Sequence, residues 1–291
     1  MMFVVCTIEP DASQFIGASL LYRSLVANCA RPFEFRLTII RRGSNEILLA
    51  DLADSLGIAV RLAESEHENR FLNKWPGLDA HKDLSGAKHV VYLDWDMLLV
   101  RRCSIPGPFR NAIGARQNPA DLYAARLASL KPRIVEPPLI TLKFQVPSSI
   151  NGGLLIASEE QLRECGRATI RYENLIHSST GNWEFWEREQ LALSLAVGEI
   201  GLHAVEPSWN ASHRANVRPE KISLWHYSDG WEPTMRLKRC LHRPEYALAL
   251  LRQVQSDRPN PVAIFLQLYG RILDEPWFVR LTELGTLRNT G

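Results

Sequence analysis

Asp94 and Asp96 stand two apart in Asp94-Trp95-Asp96, directly behind the apolar run His89-Val90-Val91-Tyr92-Leu93. Such a run reads as a buried strand, and open α/β sheets bind ligands beyond the carboxyl ends of their strands. Two carboxylates so close repel each other unless a cation lies between them. Mg2+ and Mn2+ take oxygen ligands and typically combine one or two carboxylates with substrate phosphates. The chemistry that suits the pair is a metal holding a diphosphate, although the same spelling describes two solvated acids at a strand end. His226 lies in Leu224-Trp225-His226-Tyr227-Ser228-Asp229-Gly230-Trp231, after a short apolar lead-in and before a glycine turn. A neutral imidazole there suits a third ligand for Mn2+; a satisfied structural histidine is the other reading. In Asn151-Gly152-Gly153 two glycines enter an apolar strand, so either something approaches the backbone closely or the chain simply turns. Arg236, Lys238 and Arg239 form a basic cluster able to neutralise phosphates, or else a solvated helix face.

Elements that could hold these residues are readable along the chain. Phe3 to Ile8 and Phe33 to Ile40 have strand patterns, and Ala18 to Ala27 carries apolar residues at helical spacing. Glu46 to Leu56 is an amphipathic helix stopped by Gly57, and Ile58-Ala59-Val60 follows as a strand. This β-α-β-α-β order with buried strands predicts a mostly parallel central sheet flanked by helices. From Arg116 to Val146 the sequence is Pro-rich and irregular, as an active-site loop would be. Leu154 to Ala157 is a further strand, and Glu159 to Ile170 and Glu184 to Val197 read as helices. After Pro244 the pattern is helical again, best over Glu245 to Val254 and Pro261 to Leu273. That tail predicts a helical extension, 241–291, packed on a catalytic domain of residues 1–240.

The chain has 291 residues, 46% of them hydrophobic and 23% charged, with a formal net charge of +2. That balance excludes a disordered chain, a collagen-like chain and a strongly basic nucleic-acid binder. Five cysteines without paired spacing argue against a disulfide framework or a cysteine-built zinc site. The N-terminus lacks a charged n-region, and no apolar stretch approaches the roughly 18 residues that a membrane span needs. The expectation is a soluble cytoplasmic protein. Eight tryptophans, several beside the motifs above, favour a carbohydrate partner, because aromatic faces stack well on sugars.

Taken in order, the first strand, the Ser24-Leu25 helix, Val91-Tyr92-Leu93-Asp94-Trp95-Asp96, Asn151-Gly152-Gly153, Glu189-Gln190, Trp209-Asn210 and His226-x-x-x-Gly230 resemble glycosyltransferase family 8. This is the glycogenin and lipopolysaccharide galactosyl- and glucosyltransferase group, with the GT-A fold. The resemblance spans roughly residues 1 to 235. It implies that Asp94, Asp96 and His226 hold Mn2+ (or Mg2+), which binds the diphosphate of a UDP-sugar. It further implies that Cys6 and Thr7 line the nucleotide and that Lys74, Trp95, Gly152, Gly153 and Gly230 belong to the donor site. Asn151, Glu189 and Gln190 would surround the donor sugar, with Glu189 or Gln190 beneath it and retention of the anomeric configuration.

The chain departs from the family pattern at three places. Gly230 is followed by Trp231-Glu232-Pro233 where the family continues to Lys-Pro-Trp. Either Lys238 or Arg236 then serves the phosphates, or the diphosphate is held differently. Glu189 stands for the family's Asp, and Lys74 for its Arg. An inverting enzyme would instead need a general base, for which Glu184, Glu187 and Asp229 are available. The acceptor would be a saccharide, a glycolipid or a protein, and a second copy of the chain is a candidate partner. Two other classes compete. Asp94-Trp95-Asp96-Met97-Leu98 also resembles the haloacid dehalogenase phosphatase motif, but it lies far from the N-terminus and has Leu98 where that motif has Thr or Val. The third class is a sugar-nucleotide-fold protein that binds without turnover.

Overall fold

The computed structural model describes residues 1–118, 149–179, 184–211, 217–227, 241 and 261–283. Strand β1 (Met2–Ile8) leads into helix α1 (Ala12–Asn28). Asp11 caps α1, its carboxylate accepting from the backbone N–H groups of Ser13 and Gln14 at 2.9 and 3.1 Å. The helix therefore starts well before the apolar spacing at Ala18 that predicts it. Strand β2 (Phe33–Ile40) and helix α2 (Glu46–Ser55) follow as expected, with Gly57 at φ +71 ending α2, and strand β3 (Ala59–Ala63) starts one residue later and runs three residues further than its sequence pattern. A short helix, α3 (Lys74–Asp79), precedes strand β4 (Val90–Leu93), which stops at the Asp94 motif.

Strands β5 (Met97–Leu99), β6 (Ile113–Gln117) and β7 (Ile150–Ala157) come next. Arg116 and Gln117, expected to open an irregular stretch, instead close β6; most of that stretch, 119–148, lies outside the described residues. Helix α4 (Glu159–Ser179) runs longer than its sequence pattern, and helix α5 (Phe185–Ile200) follows. Strands β8 (Leu202–Val205) and β9 (Leu224–His226) and helices α6 (Pro261–Ile272) and α7 (Pro276–Glu283) complete the described chain. The expected helix at Glu245 to Val254 falls outside it.

Among the described residues, the main sheet has the order β3-β2-β1-β4-β7-β6-β8. The pairs β3–β2, β2–β1, β1–β4 and β6–β8 are parallel, whereas β7 runs antiparallel to both β4 and β6. The carboxyl end of β4 thus meets the amino end of β7. Alternation along β1 sends Val4, Cys6 and Ile8 into a core with α1, α2, α6 and α7, and Val5 into a second core with α3, α4 and α5. A two-stranded sheet, β5 against β9, sits beside the main one. The C-terminal helices pack on α1, where the Phe15 and Trp277 rings meet edge to face at 5.6 Å and Arg23 pairs with Glu275. No described helix is long and apolar enough to cross a membrane.

Candidate functional site

Three chain segments converge where β4 ends. The backbone of Asp94 continues the β4–β7 ladder by donating to the Gly153 carbonyl at 3.0 Å. In the small sheet, Met97 lies opposite His226, and the Tyr227 N–H donates to the Asp96 carbonyl at 3.0 Å. Strand pairing therefore delivers His226 to the acidic motif from far along the chain. One ligand atom each from Asp94, Asp96 and His226 lies within 4.8 Å of the others, and Asp96 and His226 are buried. Two carboxylates and an imidazole form a donor set suited to a hard-to-borderline divalent cation. Burial raises the pKa of Asp94; the Lys74 ammonium opposes that rise and Asp96 adds to it. A cation among these groups would relieve that strain on the ionised form.

The expected neighbours gather around this trio. Lys74, on α3, forms an ion pair with Glu189, on α5, at 2.9 Å, with side chains only 6% and 3% exposed. The Lys74 ammonium also lies 5.5 Å from the Tyr92 ring centroid. Burial pulls its pKa down, but the carboxylates of Glu189 and Asp94 outweigh this and hold it above the ordinary lysine value. Burial raises Glu189 as well, against the pull of Lys74. Close packing fixes where α3 can lie. The Trp75 ring rests on Gly166 of α4, where a Cβ would stand 2.9 Å from the ring, and Gly77 faces Thr7, where a Cβ would stand 2.1 Å from the hydroxyl.

The paired glycines also have local reasons. A Cβ on Gly152 would come within 3.0 Å of the Lys74 ammonium, and one on Gly153 within 2.9 Å of the His226 ring. Asn151 turns back on itself, its side-chain oxygen accepting from the Gly153 N–H at 2.9 Å and from Asn210 Nδ2 at 2.8 Å. The Asn210 oxygen in turn lies 3.1 Å from His226 Nδ1, and His226 Nε2 lies 3.1 Å from Asp96 Oδ1. Arg116 donates to the Asn210 backbone carbonyl and, at 3.0 Å, to Asn118.

Other expected residues take varied positions. Cys6 is fully buried, and its thiol is pushed well up by burial, with Asp94 and Asp96 adding to the effect. Thr7 is almost enclosed against α3. Trp95 is half-buried and lies over Gly17 of α1, where a Cβ would meet its ring at 2.5 Å. Gln190 follows Glu189 on α5 and is half-buried. Gly230, Lys238, Arg236, Asp229, Trp183 and Trp231 lie outside the described residues. The Asn210–Arg116 portion of the network had no sequence signal beyond the Trp209-Asn210 dipeptide.

No protein-family model matches the sequence, and comparison with curated proteins gives no significant match. Solved structures do match. A galactosyltransferase, LgtC, solved in complex with donor and acceptor sugar analogues, superposes with a TM-score of 0.58 at 14% identity, covering 93% of this chain and 96% of that one. An active-site mutant of LgtC gives 0.57 at 15% identity with the same coverage. The apo structure of WbbM, a bifunctional glycosyltransferase, gives 0.56 at 11% identity, covering 97% of this chain and 51% of that one. At these identities the likeness is one of architecture: the chain has the GT-A type fold that these sugar transferases share.

Proposed function

We propose that this protein is a metal-dependent glycosyltransferase that moves a hexose from a nucleotide-diphosphate donor to an acceptor hydroxyl. The observation that carries this reading is the convergence of Asp94, Asp96 and His226 at the carboxyl end of β4, in a fold shared with sugar transferases. The resemblance to glycosyltransferase family 8 favours UDP-hexose as donor, Mn2+ (or Mg2+) as cation and retention as outcome. LgtC was solved with donor and acceptor sugar analogues, which supports a saccharide acceptor here as well. Residues 1–240 would form the catalytic unit and 241–291 a helical extension packed on it. The four described cysteines are free, which suits a reducing compartment such as the cytoplasm.

Asp94, Asp96 and His226 would hold the cation, which when bound acts as a Lewis acid toward the departing diphosphate. The chain's own groups do the rest. Gly152 and Gly153 let Lys74 and His226 pack directly against the β7 backbone, and the Asn151 amide is held by its bonds to Gly153 and Asn210. On this reading the Glu189 carboxylate would face the positive charge that develops on the sugar carbon, with the Lys74 ammonium holding it in position. Fixed, largely buried groups need little reorganisation when that charge appears.

The test is UDP release from UDP-hexoses with and without Mn2+. Activity should depend on the cation and fall at least a hundredfold in the Asp94→Ala/Asp96→Ala double variant. Equal hydrolysis by wild type and double variant would sink the transferase reading. Inorganic phosphate released from sugar phosphates would point to a phosphatase, and Mn2+-dependent UDP binding without turnover to a binding protein.

A further inference from the structure

The orientation of His226 can be traced from a backbone group. The Gly153 N–H can only donate, so the Asn151 atom 2.9 Å from it is the side-chain oxygen. That oxygen lies 2.8 Å from the Asn210 side chain, which must therefore present its NH2 group there. The Asn210 oxygen then turns the other way, to His226 Nδ1 at 3.1 Å. An acceptor in that position requires a proton on Nδ1. A neutral imidazole so held keeps its lone pair on Nε2, which faces Asp96 Oδ1 at 3.1 Å. Opposed lone pairs at that separation need a proton or a metal cation between them.

The relay is anchored at its middle. Asn210 has φ +67, a left-handed conformation that Asn and Gly tolerate best. Its backbone is pinned there by the Arg116 guanidinium on its carbonyl and by Ala211, whose N–H donates to the Leu224 carbonyl at 2.9 Å. Asn210 is wholly buried.

We propose that Asn210 is a positioning residue that fixes the Nδ1–H tautomer of His226 and so aims the Nε2 lone pair at the cation site. This rests on the reading of Asp94, Asp96 and His226 as a metal centre. Partners of this kind behind a metal-binding histidine typically account for about 10–100-fold in metal affinity. In Asn210→Gly the backbone keeps its φ without strain and only the amide is lost. In Asn151→Asp a carboxylate oxygen still accepts from both Gly153 and Asn210, so the relay is retained.

The experiment uses the full chain at pH 8.5 with two readouts. Imidazole ¹⁵N NMR of the metal-free protein reports the tautomer, and electron paramagnetic resonance of free Mn2+ reports the affinity. Wild type and Asn151→Asp should show His226 protonated on Nδ1. Asn210→Gly should lose that preference and bind Mn2+ about 10–100-fold more weakly. A neutral wild-type His226 protonated on Nε2 and not on Nδ1 overturns the relay whatever the variants do. Unchanged Mn2+ affinity in Asn210→Gly, with affinity lost in Asp94→Ala, overturns the relay and leaves the metal centre standing. Failure of wild type to bind Mn2+ saturably overturns the metal centre and the relay with it.

Discussion

Lys74 and Glu189 bring opposite charges into ground almost without water, 2.9 Å apart. Removing one partner of such a pair strands the other, whereas removing both leaves a neutral gap. Lys74→Met should therefore destabilise the protein by about 3–5 kcal/mol in urea unfolding, and Lys74→Met/Glu189→Gln should recover most of that loss. Equal destabilisation by single and double variants would contradict a stabilising pair. At this scale the sequence was half legible. Asp94, Asp96 and His226 are legible because oxygen and imidazole donors at strand ends are the groups that the proposed metal site would need. Lys74 and Glu189 are visible singly through the family resemblance, but nothing in their local sequence says that they touch. Asn210 was quieter still, since its role depends on a backbone angle and on an amide orientation set at Asn151.

Helix α6 reaches the site through the residue next to His226. The Tyr227 ring meets Phe265 edge to face at 5.2 Å, and the Tyr227 N–H holds the Asp96 carbonyl. Phe265→Ala should lower stability by about 3–5 kcal/mol and also weaken Mn2+ binding, because the cavity opens behind β9. A stability loss with unaltered Mn2+ affinity would show that α6 supports the fold without tuning the site. The longer elements were legible because their periodicity had room to repeat: β2 matches its sequence pattern residue for residue, and α5 nearly so. Strands β5, β6 and β8 have three to five residues, too few for alternation to be distinguished from chance. The start of α1 was missed for a different reason. Its signal is the Asp11 cap and not an apolar stripe, since the helix is buried on most sides.

The whole molecule responds to pH through a group away from the proposed chemistry. His81 is buried, its Nε2 lying 2.9 Å from the Thr38 hydroxyl, which itself donates to the Gly77 carbonyl. Burial lowers its pKa from 6.5 to about 4, with Asp83 opposing and Arg36, Arg61 and Arg163 assisting. Between those values the unfolded chain binds a proton that the folded chain refuses, so stability falls as pH drops from 6.5 toward 4. Wild type should lose about 2 kcal/mol from this group between pH 7.5 and 5, and His81→Gln should lose correspondingly less in urea titrations at the two pH values. A parallel decline in both proteins would remove His81 as the cause.

The ion pair described above also bears on the order in which ligands arrive. Among the described side chains, Asp94 and Asp96 lie together at the end of β4, while the Lys74 ammonium is paired with Glu189 and feels the charge of Asp94. Two neighbouring carboxylates with no cation between them repel a diphosphate and attract a divalent ion. On the proposed reading, Mn2+ enters first and reverses the sign that the nucleotide meets. UDP alone should leave the melting temperature unmoved, and UDP added after Mn2+ should raise it; stabilisation by UDP in the presence of a chelator would show that no such sequence of entry exists.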